Sequence, residues 1–177
     1  MLVTGGVRSG KSHHAEQLPS PTSRRSPTFA AGPTEADDPD PDWADRLAGH
    51  RARRPASWRT VESIDLAEAI SATDDAVLID CLGTWLSRLI DQDDLWEAPM
   101  DHLSEVIGAA TERLVAALER EAPVVLVTNE VGLGVIPSHR SGRLFRDLLG
   151  TVNRQVAAGC DDVHLVIAGR VLVLSTR

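Results

Sequence analysis

A glycine-rich segment near the start of the chain constrains its fold more than any other feature. Residues 5–12, GGVRSGKS, have the spacing G-x-x-x-x-G-K-[ST] of a phosphate loop. In such a loop backbone amides surround phosphate oxygens, the lysine reaches the β- and γ-phosphates, and the serine hydroxyl ligates Mg²⁺. Lys11 is the only lysine in the chain, beside many arginines. The segment therefore predicts a strand–loop–helix unit that binds a nucleoside triphosphate.

The residues on either side of this motif support the prediction. The apolar start, residues 1–4, is strand-like, and Ser12–Leu18 is a candidate helix whose N-terminus adds positive potential at the phosphates. A chance match in a glycine-rich turn is the competing interpretation. The motif does not identify a reaction, because kinases, GTPases, ATPases and nucleotidyltransferases all contain it.

Size, charge and cysteine content limit the class of protein. With 177 residues, 42% of them hydrophobic, we expect residues 1–177 to form a single nucleotide-binding domain. The net charge of −8 argues against a nucleic-acid partner. Two cysteines suggest no disulfide framework. We expect no secretory signal, because the start of the sequence has no charged and apolar regions of that kind, and no membrane span, because no apolar run is long enough. We therefore expect a cytoplasmic protein.

Short apolar runs alternate with segments of helical periodicity, which is the pattern of an α/β domain. The pattern predicts a mostly parallel sheet flanked by helices. The predicted strands are Leu2–Thr4, Thr28–Ala31, Ala76–Asp80, Val124–Thr128, Val163–Ala168 and Val171–Ser175. The predicted helices are Ser12–Leu18, Asp42–Arg53, Ile64–Ser71, Thr84–Asp91, Asp101–Glu121 and His139–Ala158. Two stretches rich in proline, residues 19–27 and 32–41, are predicted to be loops.

Two predicted strands end in polar residues that suit a phosphate site. Asp80 ends the apolar run Ala76–Asp80, and in phosphate-loop enzymes an acidic residue at such a strand end helps to hold Mg²⁺. Capping the next turn is the alternative role. Thr128, Asn129 and Glu130 follow another apolar run, and open α/β sheets bind ligands at the carboxyl ends of strands. No Asn-Lys-x-Asp element follows a strand, which weakens a switch-type GTPase interpretation.

A histidine among arginines is the most unusual patch of this acidic chain. His50 lies within RLAGHRARRP, residues 46–55. Arginine forks bind phosphate bidentately, and nearby positive charge disfavours the imidazolium, leaving a neutral, nucleophilic imidazole. A neutral histidine can attack phosphorus to form a phosphoramidate. A solvated basic helix face with a surface histidine is the alternative, and spacing alone favours it.

Taken together, these segments resemble one family along nearly the whole chain. The residues that carry the resemblance are LVTGGVRSGKS, RLAGHRARRPASWRTVE, AVLIDCLGTWLSRL and VVLVTNEVGLGVIPSHRSGRLFRDLLGTVNRQVA. The phosphate loop is widespread, whereas the histidine block followed by W-R-T-x-E, and T-N-E-V-G-x-G-x-x-P, are far more specific. The chain is similar to the bifunctional adenosylcobinamide kinase / adenosylcobinamide-phosphate guanylyltransferases of cobalamin biosynthesis.

The resemblance implies two successive reactions. A nucleoside triphosphate, ATP or GTP, first phosphorylates the aminopropanol hydroxyl of the corrinoid adenosylcobinamide. GTP then donates GMP to an enzyme histidine, from which adenosylcobinamide phosphate takes it up to give adenosylcobinamide-GDP, with release of pyrophosphate. The resemblance also implies a phosphate-loop α/β domain, Mg²⁺ as a cofactor and a homo-oligomer, with trimers as the family's form.

The resemblance also implies site residues. The family's R-[IL]-x-x-H block matches Arg46, Leu47 and His50, so that His50 is the expected nucleophile, with Lys11 as the second catalytic residue. Ser12 and Asp80 are the expected metal ligands. The expected nucleotide contacts are Gly5, Gly6, Val7, Arg8, Ser9, Gly10, Lys11, Ser12, Ala30, Ala31, Gly32, Arg51, Ala52, Arg53, Arg54, Glu62 and Asp80.

The chain departs from the family pattern between the phosphate loop and the histidine block. The family's Tyr-[IL]-Ala-Thr strand is replaced by residues 28–32, TFAAG, followed by a longer insert rich in proline and aspartate, and the first helix is cut short at Pro19. Two rival functions remain open. One is a small-molecule kinase of another pathway, in which His50 and its arginines only grip an anionic substrate. The other is a nucleotide-sensing module without turnover.

Overall fold

The computed structural model describes residues 1–18, 27–30, 49 and 58–176, and its strands form one sheet in the order β3-β2-β4-β5-β1-β6-β7. The strands are β1 Leu2–Gly5, β2 Pro27–Ala30, β3 Arg59–Glu62, β4 Val77–Asp80, β5 Val124–Val127, β6 Asp162–Ile167 and β7 Arg170–Thr176. Neighbouring strands are parallel except β7, which is antiparallel to β6. This arrangement confirms the predicted α/β class with a mostly parallel sheet.

Helices lie between β1 and β2 and between successive strands from β3 to β6, because parallel strands cannot be joined by a tight turn. The described helices are α1 Lys11–Gln17, α2 Leu66–Ser71, α3 Leu82–Gln92, the 3₁₀ turn Leu95–Glu97, α4 Met100–Ala116 and α5 Arg140–Ala158. No helix in the described ranges is long and apolar enough to cross a membrane.

The alternation of side chains along the central strands builds two cores, one on each face of the sheet. On one face, Leu2, Ile79 and Leu126 belong to a large cluster with the apolar residues of α2, α3, α4 and α5. On the other face, Val3 packs in a smaller cluster with Ala15 of α1. The central strands are therefore buried on both sides, which fixes the position of the loops at their carboxyl ends.

The helices face the larger core with residues at helical spacing. In α4 the buried apolar residues are Leu103, Ile107, Ala110 and Leu114. In α5 they are Leu144, Leu148, Leu149, Val152 and Val156. Trp85 of α3 is also buried. Its indole Nε1 donates a hydrogen bond of 2.9 Å to the carbonyl of Ile64, so the buried N–H group is satisfied.

Several element boundaries differ from the sequence prediction. β3 was not expected, because this edge strand has a single apolar residue, Val61, among polar neighbours. Helix α4 ends at Ala116 rather than at Glu121, and Arg120 beyond it donates hydrogen bonds to the carbonyls of Ile70 (2.6 Å) and Asp75 (3.0 Å).

Helix α3 begins at Leu82 rather than at Thr84. The Thr84 hydroxyl donates to the carbonyl of Cys81 at 2.8 Å, and the Cys81 amide lies 3.4 Å from the same hydroxyl, so this pair caps the helix. The predicted helix Asp42–Arg53 lies outside the described residues except for Gly49.

Candidate nucleotide-binding site

The carboxyl ends of the parallel strands meet at one edge of the sheet. Asp80, which ends β4, pairs with Val127 at the end of β5, and Ala30 of β2 pairs with Glu62 of β3. The pairing of β5 with β1 continues past Val127, since the Glu130 amide donates to the carbonyl of Gly5 at 3.0 Å. The predicted site residues from four different strands therefore share the edge where open α/β sheets bind ligands.

The phosphate loop requires glycine at two of its positions. A Cβ atom on Gly5 would lie 2.4 Å from the carbonyl oxygen of Val166, so no larger residue fits between β1 and β6. Gly10, which caps α1, has a φ of +96°, a left-handed conformation that strains residues with a side chain. The Gly169 amide donates to the Ser9 carbonyl at 2.8 Å and ties the loop to the β6–β7 turn. The phosphate loop thus packs closely against β6 at Gly5 and is hydrogen-bonded to the β6–β7 turn at Ser9.

Lys11 is the first residue of α1, and its side chain turns back over the loop. The side chain is buried, and its Nζ donates a hydrogen bond of 3.3 Å to the carbonyl of Gly6. A buried ammonium is costly unless charged or polar groups surround it, and a bound polyphosphate supplies such groups. The position of Nζ is therefore suited to a phosphate chain that lies in the loop.

Ser12 and Asp80 come together although they are far apart in sequence. The Ser12 hydroxyl donates to Asp80 Oδ1 at 3.4 Å. Both groups are oxygen donors, the type that Mg²⁺ prefers. Two further hydroxyls, Thr4 Oγ1 and Ser9 Oγ, are buried without a hydrogen-bond partner among the described residues. The oxygen donors of Ser12 and Asp80 fit a hard cation, and the amides of the phosphate loop fit a polyphosphate.

A buried network that the sequence analysis did not identify supports the turn after β5. The Thr128 hydroxyl, fully buried, donates to Asn153 Oδ1 of α5 at 2.6 Å, and Asn153 Nδ2 donates to the Asn129 carbonyl at 3.0 Å. Asn129 Nδ2 lies near Gly83, where an added Cβ would be 3.3 Å away. The polar residues after β5 are therefore fixed relative to α3 and α5.

Cys81, directly after Asp80, does not provide a nucleophile. Burial and, after it, the adjacent Asp80 carboxylate raise the pKa of the Cys81 thiol. The thiol is thus neutral near pH 7, and its contact of 3.6 Å with the Thr84 hydroxyl is part of the helix cap. Thiolate chemistry at this edge is not supported.

A histidine pair ties α1 to the sheet. His14 Nε2 lies 2.9 Å from His164 Nδ1 of β6, and the ring centroids are 5.2 Å apart. Burial and, after it, electrostatic interaction with His164 lower the pKa of His14. This pair could not be predicted from the sequence, because the two residues are 150 positions apart.

The remaining predicted site residues divide into described and undescribed ones. Gly6, Val7 and Arg8 are exposed at the tip of the phosphate loop, and Glu62 is exposed at the end of β3. For Ala30 the backbone position in β2 is described. The predicted residues Ala31, Gly32, Arg46, Leu47, His50, Arg51, Ala52, Arg53 and Arg54 lie outside the described residues. Among the described residues there is no group of three or more histidine, cysteine or acidic side chains arranged as a metal site.

Comparison with known proteins gives matches over nearly the whole chain. The model of the family described as CobU, cobinamide kinase / cobinamide phosphate guanyltransferase, matches residues 1–174. The bifunctional adenosylcobalamin biosynthesis protein CobU of Escherichia coli (strain K12) is 42% identical over 180 residues, which cover 96% of this chain and 96% of that protein. CobU of Salmonella typhimurium is 40% identical with the same coverage, and CobP of Pseudomonas aeruginosa is 35% identical, covering 95% and 92%.

Solved structures give a more distant similarity. The P4 protein of bacteriophage phi13 is 16% identical with a TM-score of 0.45, and the match covers 97% of this chain. The chain spans about half the length of that structure, 52%.

Proposed function

Because the chain belongs to the cobinamide kinase / cobinamide phosphate guanyltransferase family, we propose that it performs both reactions with nucleotides bound at the phosphate loop. It phosphorylates the aminopropanol hydroxyl of adenosylcobinamide with a nucleoside triphosphate. It then transfers GMP from GTP to the new phosphate, giving adenosylcobinamide-GDP and pyrophosphate. Adenosylcobinamide and its phosphate are thus the corrinoid substrates.

The arrangement of Lys11, Ser12 and Asp80 is the observation that carries this proposal. Lys11 Nζ lies over the Gly6 carbonyl at 3.3 Å, and the Ser12 hydroxyl lies 3.4 Å from Asp80. In this proposal Lys11 and the amides of residues 5–12 bind the β- and γ-phosphates. Such positioning and charge stabilisation supply most of the catalysis in phosphoryl transfer.

Ser12 and Asp80 would hold Mg²⁺, whose contribution is to neutralise charge on the triphosphate. The oxygen atoms of both side chains already lie within 3.4 Å of each other, so the pair needs little rearrangement. Asp80→Asn keeps the shape of the side chain and removes its charge. We expect this variant to need a higher Mg²⁺ concentration for half-maximal rate, and an unchanged Mg²⁺ dependence would contradict the ligand role of Asp80.

We assign the GMP-transfer step to His50. A neutral imidazole nitrogen attacks the α-phosphorus of GTP, an N–P bond forms, and the bond to pyrophosphate breaks. A phosphate oxygen of adenosylcobinamide phosphate then attacks the same phosphorus, and the N–P bond breaks, which returns the imidazole. Family membership and the R-[IL]-x-x-H match support this role.

The other nucleotide contacts are proposed from the same resemblance. Arg51, Arg53 and Arg54 would stabilise charge on the phosphates, where one well-placed donor contributes about 3 kcal/mol to lowering the barrier. Glu62 would contact the sugar or base. Glu62 lies at the end of β3, where it pairs with Ala30 of β2 at the edge of the sheet that carries the phosphate loop, and this position supports the role.

We further propose that residues 1–177 form one domain that assembles into a homo-oligomer, with a trimer as the form that the resemblance implies. One sheet includes both β1 and β7, which supports the single domain. The outermost strand β7 presents exposed apolar side chains, Val171, Leu172, Val173 and Leu174, which support assembly through this edge. A monomeric mass in light scattering at micromolar concentration would contradict the oligomer.

Labelling with GTP tests the histidine route. Purified protein is incubated with Mg²⁺ and GTP labelled at the α-phosphate, denatured, and examined for label that is lost in acid and stable in base, as expected of a phosphoramidate. We expect label on the wild type and on the control variant His102→Ala, which removes an exposed histidine of α4 that is not among the proposed site residues. We expect none on His50→Ala, which should keep kinase activity. Label that persists on His50→Ala would refute the assignment.

A further inference from the structure

Two surfaces of the described residues expose apolar side chains in succession. One is strand β7 at the lateral edge of the sheet. The other is the segment after β5, residues 131–139, here named the apolar loop. Within it Leu133 is 86% exposed, Val135 is 95% exposed and Ile136 is 69% exposed. Single exposed apolar residues need no explanation, whereas several within one short loop indicate a contact surface.

Polar bonds to the backbone hold the apolar loop in place. Glu130 Oε1 accepts a hydrogen bond of 2.7 Å from the Gly132 amide, and Arg146 of α5 donates to the Gly132 carbonyl at 2.9 Å. Arg143 donates to the carbonyls of Pro137 and Ser138, at 3.1 Å and 2.6 Å. Since these bonds involve main-chain groups, the loop keeps its shape without burying its apolar side chains.

The packing at the end of the loop is also close. A Cβ atom on Gly142, in the first turn of α5, would lie 2.8 Å from Cβ of Pro137. The glycine therefore lets Pro137 approach the helix, and the loop is fixed at its far end as well. A surface that is shaped in this way before a ligand arrives loses less conformational entropy on binding.

The apolar loop begins beside the phosphate loop. The amide of Glu130 is bonded to the carbonyl of Gly5, and Val7, two residues further along the phosphate loop, is itself 69% exposed. The apolar loop therefore starts at the nucleotide site. Strand β7 also starts there, because the Gly169 amide is bonded to the Ser9 carbonyl, but its exposed apolar side chains follow the lateral edge of the sheet, which is assigned above to assembly.

We propose that the apolar loop, together with Val7, is the docking surface for the corrin ring of adenosylcobinamide. This inference rests on the function proposed above. The ring is too wide for a phosphate cradle, and only its aminopropanol arm has to reach the γ-phosphate. Methyl groups on the ring suit aliphatic contacts. The aromatic side chains whose burial is described are buried or half-buried, and none of these is fully exposed for stacking: Trp58, Trp85, Trp96 and Phe145.

A pair of double variants tests the docking surface. Leu133→Ser with Val135→Ser removes apolar contact, and Leu133→Met with Val135→Ile keeps it as the matched control. Both side chains are exposed, so neither pair removes a buried contact. With nucleotide saturating, we expect the serine pair to raise KM for adenosylcobinamide about tenfold, with nucleotide affinity within about twofold of wild type. The control pair should retain the wild-type KM.

Equilibrium dialysis of adenosylcobinamide, followed by its visible absorbance, measures docking without turnover. Weaker binding to the serine pair alone supports the proposal, even if the wild type shows no kinase activity and the proposed function fails. Equal binding to wild type and to both pairs would overturn the docking surface. A fall in molecular mass of the serine pair, with unchanged corrinoid binding, would also overturn it, since the loop would then contact a second copy.

Discussion

At the scale of single residues, Lys11 combines burial with a charge, a combination that lysine rarely adopts without anionic or polar neighbours. Its Nζ contacts the Gly6 carbonyl, within the loop that we expect to surround the triphosphate. We therefore expect the residue to contribute through contact with phosphate oxygens rather than through packing alone. The sequence indicates this role directly, because the motif is contiguous.

Replacing Lys11 tests that contact. Lys11→Met keeps an unbranched aliphatic side chain of similar length and removes the charge. We expect the kinase rate to fall by about 10²–10³, the usual loss for one transition-state donor, while the far-ultraviolet circular dichroism stays unchanged. Arg154→Met, which removes an exposed charge from α5, is the control and should keep its activity. A Lys11→Met rate within about twofold of wild type would contradict the role of the lysine.

The contacts of other site residues could not be predicted, because their partners are distant in sequence. Asp80 was recognisable from an apolar run that ends in a carboxylate, but its contact with Ser12 depends on how β4 and β1 are arranged in the sheet. The hydrogen bond between Thr128 and Asn153 joins a strand end to the middle of a helix. No local pattern marks Asn153 as different from any other polar residue of α5.

At the scale of elements, Asn153 connects α5 to the turn after β5. Asn153→Ala leaves the buried Thr128 hydroxyl and the Asn129 carbonyl without this partner. We expect a loss of about 1–3 kcal/mol in the free energy of unfolding, measured by urea denaturation, because buried polar groups lose their hydrogen bonds. Thr151→Val changes an exposed residue of the same helix and should cost less than about 0.5 kcal/mol. Equal stability of the two variants would contradict the structural role of Asn153.

The contact of α1 with β6 predicts a dependence of stability on pH. The pKa of His14 is lower in the folded chain than its ordinary value of about 6.5, so the unfolded chain binds a proton more readily between the two values. The free energy of unfolding should therefore be unaffected by His14 above about pH 6.5, and it should fall as the pH drops from there toward the pKa of His14 in the folded chain. His14→Gln should reduce this slope in urea denaturation at several pH values. An unchanged slope would contradict the contribution of His14.

Element types were more predictable than element boundaries. Long periodic helices such as α4 and α5 and the apolar strands β4 and β5 follow from burial patterns in the sequence. The strand β3 was not predicted, because it lies at the edge of the sheet and contains few apolar residues. The end of α4 depends on hydrogen bonds that Arg120 makes with residues some fifty positions earlier.

At the scale of the whole molecule, β1 lies between β5 and β6, and β4 lies next to β5, so the phosphate loop and the polar strand ends share one edge. The apolar loop emerges from the same edge. Hydrophobic periodicity predicts the strands and helices, but it does not predict which strands lie next to each other in the sheet. Resemblance to the family supplied the function, whereas the sheet explains why residues from several segments can act on one nucleotide.

We propose above that one chain phosphorylates adenosylcobinamide and then attaches GMP to the new phosphate. We would incubate the purified protein with Mg²⁺, adenosylcobinamide and GTP labelled in parallel samples at the γ- or the α-phosphate, and separate the corrinoid products. We predict γ-label in adenosylcobinamide phosphate, followed by both labels in adenosylcobinamide-GDP with release of pyrophosphate. A phosphorylated corrinoid that never acquires α-label would contradict GMP transfer by this chain, and the absence of any labelled corrinoid would contradict both reactions.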